Sequence, residues 1–254
     1  MDALKKCLEV ENISKTFYNE KGYFTAIDDV SFDVNEGEFL VLLGPGHCGK
    51  TVLLNILAGL EEKSGGRVLY KGQEINGVNE EMSMVFQLLS LMPFKTVMEN
   101  VELPLKFRGM GKKERREIAQ HYIDLVGLTG FEKAYPHQLS GGMKQRVGIA
   151  RAYSVHPEIL IMDEPFGQLD AQTRYLMQQE VLRIWQEEKR TVIFVTNNIE
   201  EACYLGDRII LLSSCPATVK EVFDMSALAK PRDIVSREFL EIRSKISDQT
   251  DLSM

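Results

Sequence analysis

Phe39-Leu40-Val41-Leu42-Leu43-Gly44-Pro45-Gly46-His47-Cys48-Gly49-Lys50-Thr51 is the stretch from which the rest of the chain can be read. Its first five residues are apolar without polar alternation, the pattern of a strand buried on both faces. The next eight match G-x-x-x-x-G-K-[ST], and Val52 to Leu60 has the composition of a helix. A glycine-rich turn between buried strand and helix aims backbone amides and the positive end of the helix dipole at one place, which suits phosphate oxygens. There Lys50 would reach outer phosphates and the Thr51 hydroxyl would ligate magnesium.

Two further runs, Ile159-Leu160-Ile161-Met162 and Thr191-Val192-Ile193-Phe194-Val195, repeat the buried-strand pattern. Helix-periodic segments separate them, so the fold class is α/β, with a mostly parallel sheet covered on both faces. Leu8 to Phe17 and Ala26 to Val34 mix polar and apolar positions and predict a more exposed antiparallel β-subdomain at the start. Between Pro93 and Leu139 strand-like runs vanish, and Ile118, Tyr122, Leu125 and Val126 recur at helical spacing. The expected organisation is a single domain over residues 1–254, its core formed by 1–87 and 145–254, with a helical subdomain inserted at 88–144. Pro231 to Met254 predicts a docked helix anchored by Phe239, Leu240 and Ile242, ending in a frayed tail.

The chain has 254 residues, enough to bury a full sheet, and a formal charge of −7. An acidic balance argues against a nucleic-acid partner. Lys112, Lys113, Arg115 and Arg116 are interleaved with Glu114 and Glu117 and read as a solvated helix face. No apolar run approaches the ~18 residues of a membrane span, and Met1 to Glu11 does not read as a leader peptide. Cys7, Cys48, Cys203 and Cys215 lie far apart with no Cys-x-x-Cys pair, which argues against a zinc site or a disulfide framework and fits a reducing compartment.

Two further strings carry chemistry. The strand Ile159 to Met162 delivers Asp163 and Glu164 to its end, a carboxylate for a metal and a group to orient an attacking water. Leu139-Ser140-Gly141-Gly142-Met143-Lys144-Gln145-Arg146 leads into the helical run Val147 to Tyr153 and places a hydroxyl and bare amides at a helix N-terminus, a second anion cradle. With Val85-Phe86-Gln87, Leu169-Asp170 and Thr196-Asn197 in the same order, nearly the whole chain resembles the ATP-binding subunit of an ABC transporter, which has a P-loop NTPase core. Asp163 to Arg174, Leu205 to Ser214, and Pro231-Arg232-Asp233 with Phe239-Leu240 look most like the nitrate/sulfonate/taurine importer branch.

The resemblance implies a role for each matching residue. Phe17, with Tyr18 as the alternative, is similar to the aromatic that stacks on adenine. Gly44, Pro45, Gly46, His47, Cys48, Gly49, Lys50, Thr51 and Val52 would hold the phosphates of ATP. Thr51, Gln87 and Asp163 would serve Mg2+, while Glu164, Gln87 and Asn197 would serve hydrolysis. Ser140, Gly141 and Gly142 would bind the terminal phosphate of ATP held by a second subunit, and Asp170 would lie in the loop that crosses to it. The implied partners are that second ATP-binding subunit, two transmembrane permease subunits and, indirectly, an extracytoplasmic solute-binding protein. The implied location is the cytoplasmic face of the membrane, as a peripheral protein.

Departures from the family pattern bear on rate. His47 stands where glycine is usual, Val52 where a threonine is, and Asn197-Asn198 where histidine and aspartate are; Gln168 replaces a small residue. A β-carbon at His47 is costly if the backbone needs positive φ. Asn197 still donates a hydrogen bond, without the charge that roughly doubles its strength. The expected function is thus an ATPase motor of an importer with slowed turnover, or, alternatively, a catalytically weakened half paired with a competent homologous subunit. A soluble non-transport member of the family would carry two ATP domains or a long coiled-coil insertion, and this chain has neither.

Overall fold

A computed structural model describes residues 5–20 and 22–250. The first and last four residues, on which parts of the leader and frayed-tail expectations fall, lie outside the described residues. In chain order the first elements are β1 (Lys6–Asn19), β2 (Gly22–Asn35), β3 (Phe39–Leu43), α1 (Lys50–Leu57), β4 (Gly65–Tyr70), β5 (Gln73–Glu74) and β6 (Met82–Val85). Helices α2 (Val97–Val101), α3 (Leu103–Phe107), α4 (Lys112–Leu125) and α5 (Gly141–Tyr153) follow, then β7 (Ile159–Asp163) and α6 (Ala171–Glu188). The chain closes with β8 (Thr191–Thr196), α7 (Ile199–Leu205), β9 (Arg208–Leu212), β10 (Val219–Asp224) and α8 (Arg237–Gln249).

These elements form two compact units, residues 1–79 with 190–254, and residues 80–189. The division assigns β6, β7 and α6 to the same unit as the helical stretch 88–144.

In the first unit, β1 and β2 pair antiparallel over their whole length and β4 and β5 extend that sheet in the order β2-β1-β4-β5. Beside it, β3 runs parallel to both β8 and β9, and β10 closes the edge antiparallel to β9. Every residue of β3 and β8 is buried, which explains their unbroken apolar runs. The helix after the glycine-rich turn stops at Leu57, three residues short of the expected Leu60. Gly59 ends it: at φ +72 its α-carbon comes so close to Gly77 that a β-carbon would lie 2.0 Å from that carbonyl. The terminal helix α8 is docked by Phe239 and Ile246, with Ser236 as its cap. Leu240, expected as an anchor, instead points outward and is 44% exposed, because the inward stripe follows 239 and 246, with Ile242 half-buried between them.

In the second unit, β6 and β7 pair in parallel and α2, α4 and α5 pack together. Of the face that the helical spacing implied, Tyr122, Leu125 and Val126 are buried and Ile118 is half-buried; Ile123 is buried too, as are Val147, Ile149 and Tyr153 of α5. Among the described residues no helix is long and apolar enough to cross a membrane.

Candidate functional site

In the first unit, β3 delivers the glycine-rich turn. The Gly44 amide donates to the Thr196 carbonyl at the end of β8 (3.3 Å), so Asn197 follows immediately on a residue bonded to the turn, 152 positions away in sequence. Gly49 caps α1 at φ 111 with no side-chain capping bond. It has no alternative: a β-carbon there would lie 2.7 Å from the Ala26 carbonyl of β2. Lys50 is buried and folds back onto the turn, its Nζ donating to the carbonyls of Gly44 (2.9 Å) and Pro45 (2.6 Å). His47 and Thr51 are exposed, and Val52 is half-buried. His47 adopts φ 61, the left-handed conformation in which a β-carbon is strained, although histidine is among the side chains that tolerate it best. Cys48 is buried, and burial pushes its thiol up.

The next loop explains one departure. Asn198 caps α7, its Oδ1 accepting from the Glu201 amide (3.0 Å), and its own amide donates to Thr196 Oγ1 (3.0 Å). Asparagine and aspartate cap helices about equally well, so the change of residue leaves this structural job intact. Asn197, by contrast, is exposed.

At the far end of the β1–β2 hairpin, Phe17 faces Phe24 and Tyr18 faces Tyr23 across the strands, giving an exposed aromatic cluster. Lys15 Nζ lies 4.7 Å from the centre of the Phe17 ring and is itself fixed by Glu61 (2.5 Å) and the Glu62 carbonyl (2.6 Å). Phe17 is 36% exposed against 80% for Tyr18.

In the second unit, β7 ends at Asp163, which is buried, and Glu164 follows at φ 41, a left-handed residue closed by the Gly167 amide on its carbonyl (3.1 Å). Such conformations cost on the order of 1–3 kcal/mol and concentrate at functional sites. Gln87 lies exposed just beyond β6. Ser140 caps α5, its Oγ accepting from the Met143 amide (3.3 Å) and the side chain remaining exposed. Gly141 and Gly142 form the first helical residues, and packing alone demands the second: a β-carbon on Gly142 would lie 2.9 Å from Thr173 Cγ2 of α6. Asp170 caps α6, and backbone and side-chain bonds with Thr173 hold its carboxyl below the usual range.

Two contributors had no sequence signal. The Ala26 carbonyl limits what stands at position 49. Arg151, at the end of α5, donates to the carbonyls of Leu89 (2.6 Å) and Ser90 (3.1 Å), tethering the segment after Gln87. Next to that tether lies a groove of about 370 Å3 lined by Met84, Phe86, Met92, Leu103 and Phe107. Phe94 and Phe107 are 91% and 81% exposed, an unusual display for large apolar side chains.

Comparison with known proteins gives consistent matches. The family model described as ABC transporter matches residues 27–167. An uncharacterised ABC transporter ATP-binding protein of Methanocaldococcus jannaschii is 50% identical over 245 residues, 96% of this chain and 91% of that protein. The nitrate import ATP-binding protein NrtD of Synechocystis is 41% identical, over 84% of this chain and 80% of that protein. The aliphatic sulfonates import ATP-binding protein SsuB of Bacillus anthracis is 37% identical, over 95% of each. Among solved structures, the ABC transporter cassette MJ0796 bound to ADP and Pi, in a dimeric post-hydrolysis state, superposes with a TM-score of 0.75 at 32% identity, covering 86% of this chain and 98% of that one.

Proposed function

Because the chain belongs to the ABC transporter family and is an ATPase of that family, we propose that it is the motor subunit of an importer. Two ATP-binding subunits close head to tail over two MgATP, and the closure drives two membrane-spanning permease subunits. The carrying observation is the turn at 44–51, with its left-handed Gly49 and Lys50 held against the Gly44 and Pro45 carbonyls. In this reading Gly44 to Val52 hold phosphates, Phe17 stacks on adenine, and Thr51, Asp163 and Gln87 serve magnesium. Glu164 orients the attacking water, Gln87 and Asn197 assist, and Ser140 to Gly142 with Asp170 act on the nucleotide of the second subunit.

The groove beside Phe107 supports the permease partner, since an apolar concavity ringed by exposed phenylalanines suits an apolar segment of another protein. The residues 88–144 then form the helical subdomain that engages this partner, and the chain works as a peripheral protein at the cytoplasmic face of the membrane. An extracytoplasmic binding protein supplies the solute. Likeness to nitrate and sulfonate import proteins supports small oxyanions or organosulfonates as that solute. The weakened-half alternative has no observation of its own in its favour.

Magnesium-dependent ATP hydrolysis and equilibrium ATP binding test the reading together. Glu164→Gln is expected to abolish turnover while ATP remains bound, and Lys50→Ala to weaken binding at least tenfold. Unchanged hydrolysis in Glu164→Gln would overturn the assignment of the water-orienting residue.

A further inference from the structure

Two of the four cysteines converge on the phosphate loop. The Cys48 thiol lies beneath Gly44, 3.0 Å from where a β-carbon would stand, and that same point is 3.2 Å from Leu212 Cβ at the end of β9. Three residues beyond Leu212, Cys215 sits on the turn between β9 and β10, its thiol donating to the Thr25 carbonyl (3.5 Å). The next carbonyl, that of Ala26, accepts from the Ala217 amide (2.9 Å) and also stands 2.7 Å from the missing β-carbon of Gly49, the neighbour of Cys48. Gly49, next to Cys48, and Ala217, two residues beyond Cys215, thus meet at one carbonyl of β2. The two differ in access: Cys48 is buried and Cys215 exposed. The negative charge of an ionised Cys215 also helps to raise the Cys48 thiol, a second sign of proximity, although burial is the larger cause.

We propose that Cys48 and Cys215 form an oxidation site, a disulfide made by hydrogen peroxide that ties the phosphate loop to the β9–β10 turn. Peroxide oxidises the exposed Cys215 thiolate to sulfenic acid, with one oxygen transferred and hydroxide released. The Cys48 sulfur, as thiolate, then attacks that sulfur, the S–S bond forms and the sulfenic oxygen leaves as water. Overall two thiols and one peroxide give one disulfide and two waters. The bond restrains the residue before Gly49, so the amides of the turn no longer close on phosphate. This last consequence rests on the nucleotide reading above; the bond itself does not.

The purified chain is treated with dilute hydrogen peroxide at low protein concentration, unfolded, alkylated with iodoacetamide and mapped by peptide mass, with MgATP binding measured in parallel. The expected result is two alkylated cysteines instead of four, a peptide pair joining Cys48 to Cys215, and ATP affinity that falls at least tenfold and returns with dithiothreitol. Cys215→Ser is expected to keep all thiols but its own reactive and its ATP affinity unchanged by peroxide. Four alkylated thiols, Cys215 oxidised without a partner, or a bridge between two copies would overturn the proposed bond. A Cys48–Cys215 bridge with unaltered ATP affinity would leave the bond standing and overturn its effect on the loop. An untreated chain that does not bind MgATP contradicts the nucleotide reading instead.

Discussion

His47 carries the clearest conflict between a side chain and its backbone. At φ 61 a β-carbon costs roughly 1 kcal/mol, while glycine would lose about as much through the greater freedom of its unfolded chain. His47→Gly is therefore expected to move the urea midpoint little, by less than about 1 kcal/mol in stability. Under the proposed function the effect falls on rate instead: Asn197 follows the residue bonded to Gly44 and would offer a phosphate an uncharged donor. One transition-state donor is worth on the order of 10²-fold, so Asn197→His with His47→Gly should raise steady-state ATP turnover about tenfold or more. Equal turnover in the double variant would show that neither residue limits hydrolysis. The glycine-rich turn was legible in the sequence since its backbone tolerates few residues, as Gly49 shows against Ala26. Gly142 was legible only in part, since its spacing suggested an anion cradle while the approach of Thr173 had no trace in the string.

At the level of elements, the caps explain where helices begin. Asn198, Ser140, Asp170 and Ser236 each accept from the backbone amide three residues on. Replacing Asn198 by alanine should cost about 1 kcal/mol, whereas aspartate should cost only a few tenths. Equilibrium urea unfolding of both variants makes the comparison, and an equal loss in the two would refute capping as the role of this side chain. The buried strands and the helical stretch were readable from periodicity. The end of α1 was not, because it depends on Gly77, and the anchors of α8 were one position off at Leu240, since a stripe of apolar residues does not mark its own centre. The Arg151 tether was invisible for a plainer reason: its partners are 61 and 62 residues away and are backbone carbonyls, which any sequence supplies.

Across the whole molecule, titration of buried groups sets how stability responds to alkali. Burial pulls Lys230 down to about 8 despite Asp207 at 2.7 Å, which favours the charged form. Between about pH 8 and the ordinary lysine value near 10.4 the unfolded chain therefore holds more protons, and stability rises with pH. Cys203 opposes this: burial pushes its thiol up to about 12, so above roughly pH 9 the unfolded chain gives up that proton first and stability falls. The melting temperature should climb from about pH 7.5 to 9, level off while the two effects cancel, and decline above about pH 10.4, and Lys230→Met should remove the climb. A climb that persists in Lys230→Met would assign it to another group. The path of β2 has one further consequence. Phe24, opposite Phe17, and Ala26, against Gly49, are two residues apart on a single extended strand. The interval is set by a stretch of β2 that carries a register irregularity at Ala26, so under the proposed nucleotide reading the hairpin aromatics and the glycine turn are spaced by one piece of backbone, and a ligand reaching both would be sorted by its length.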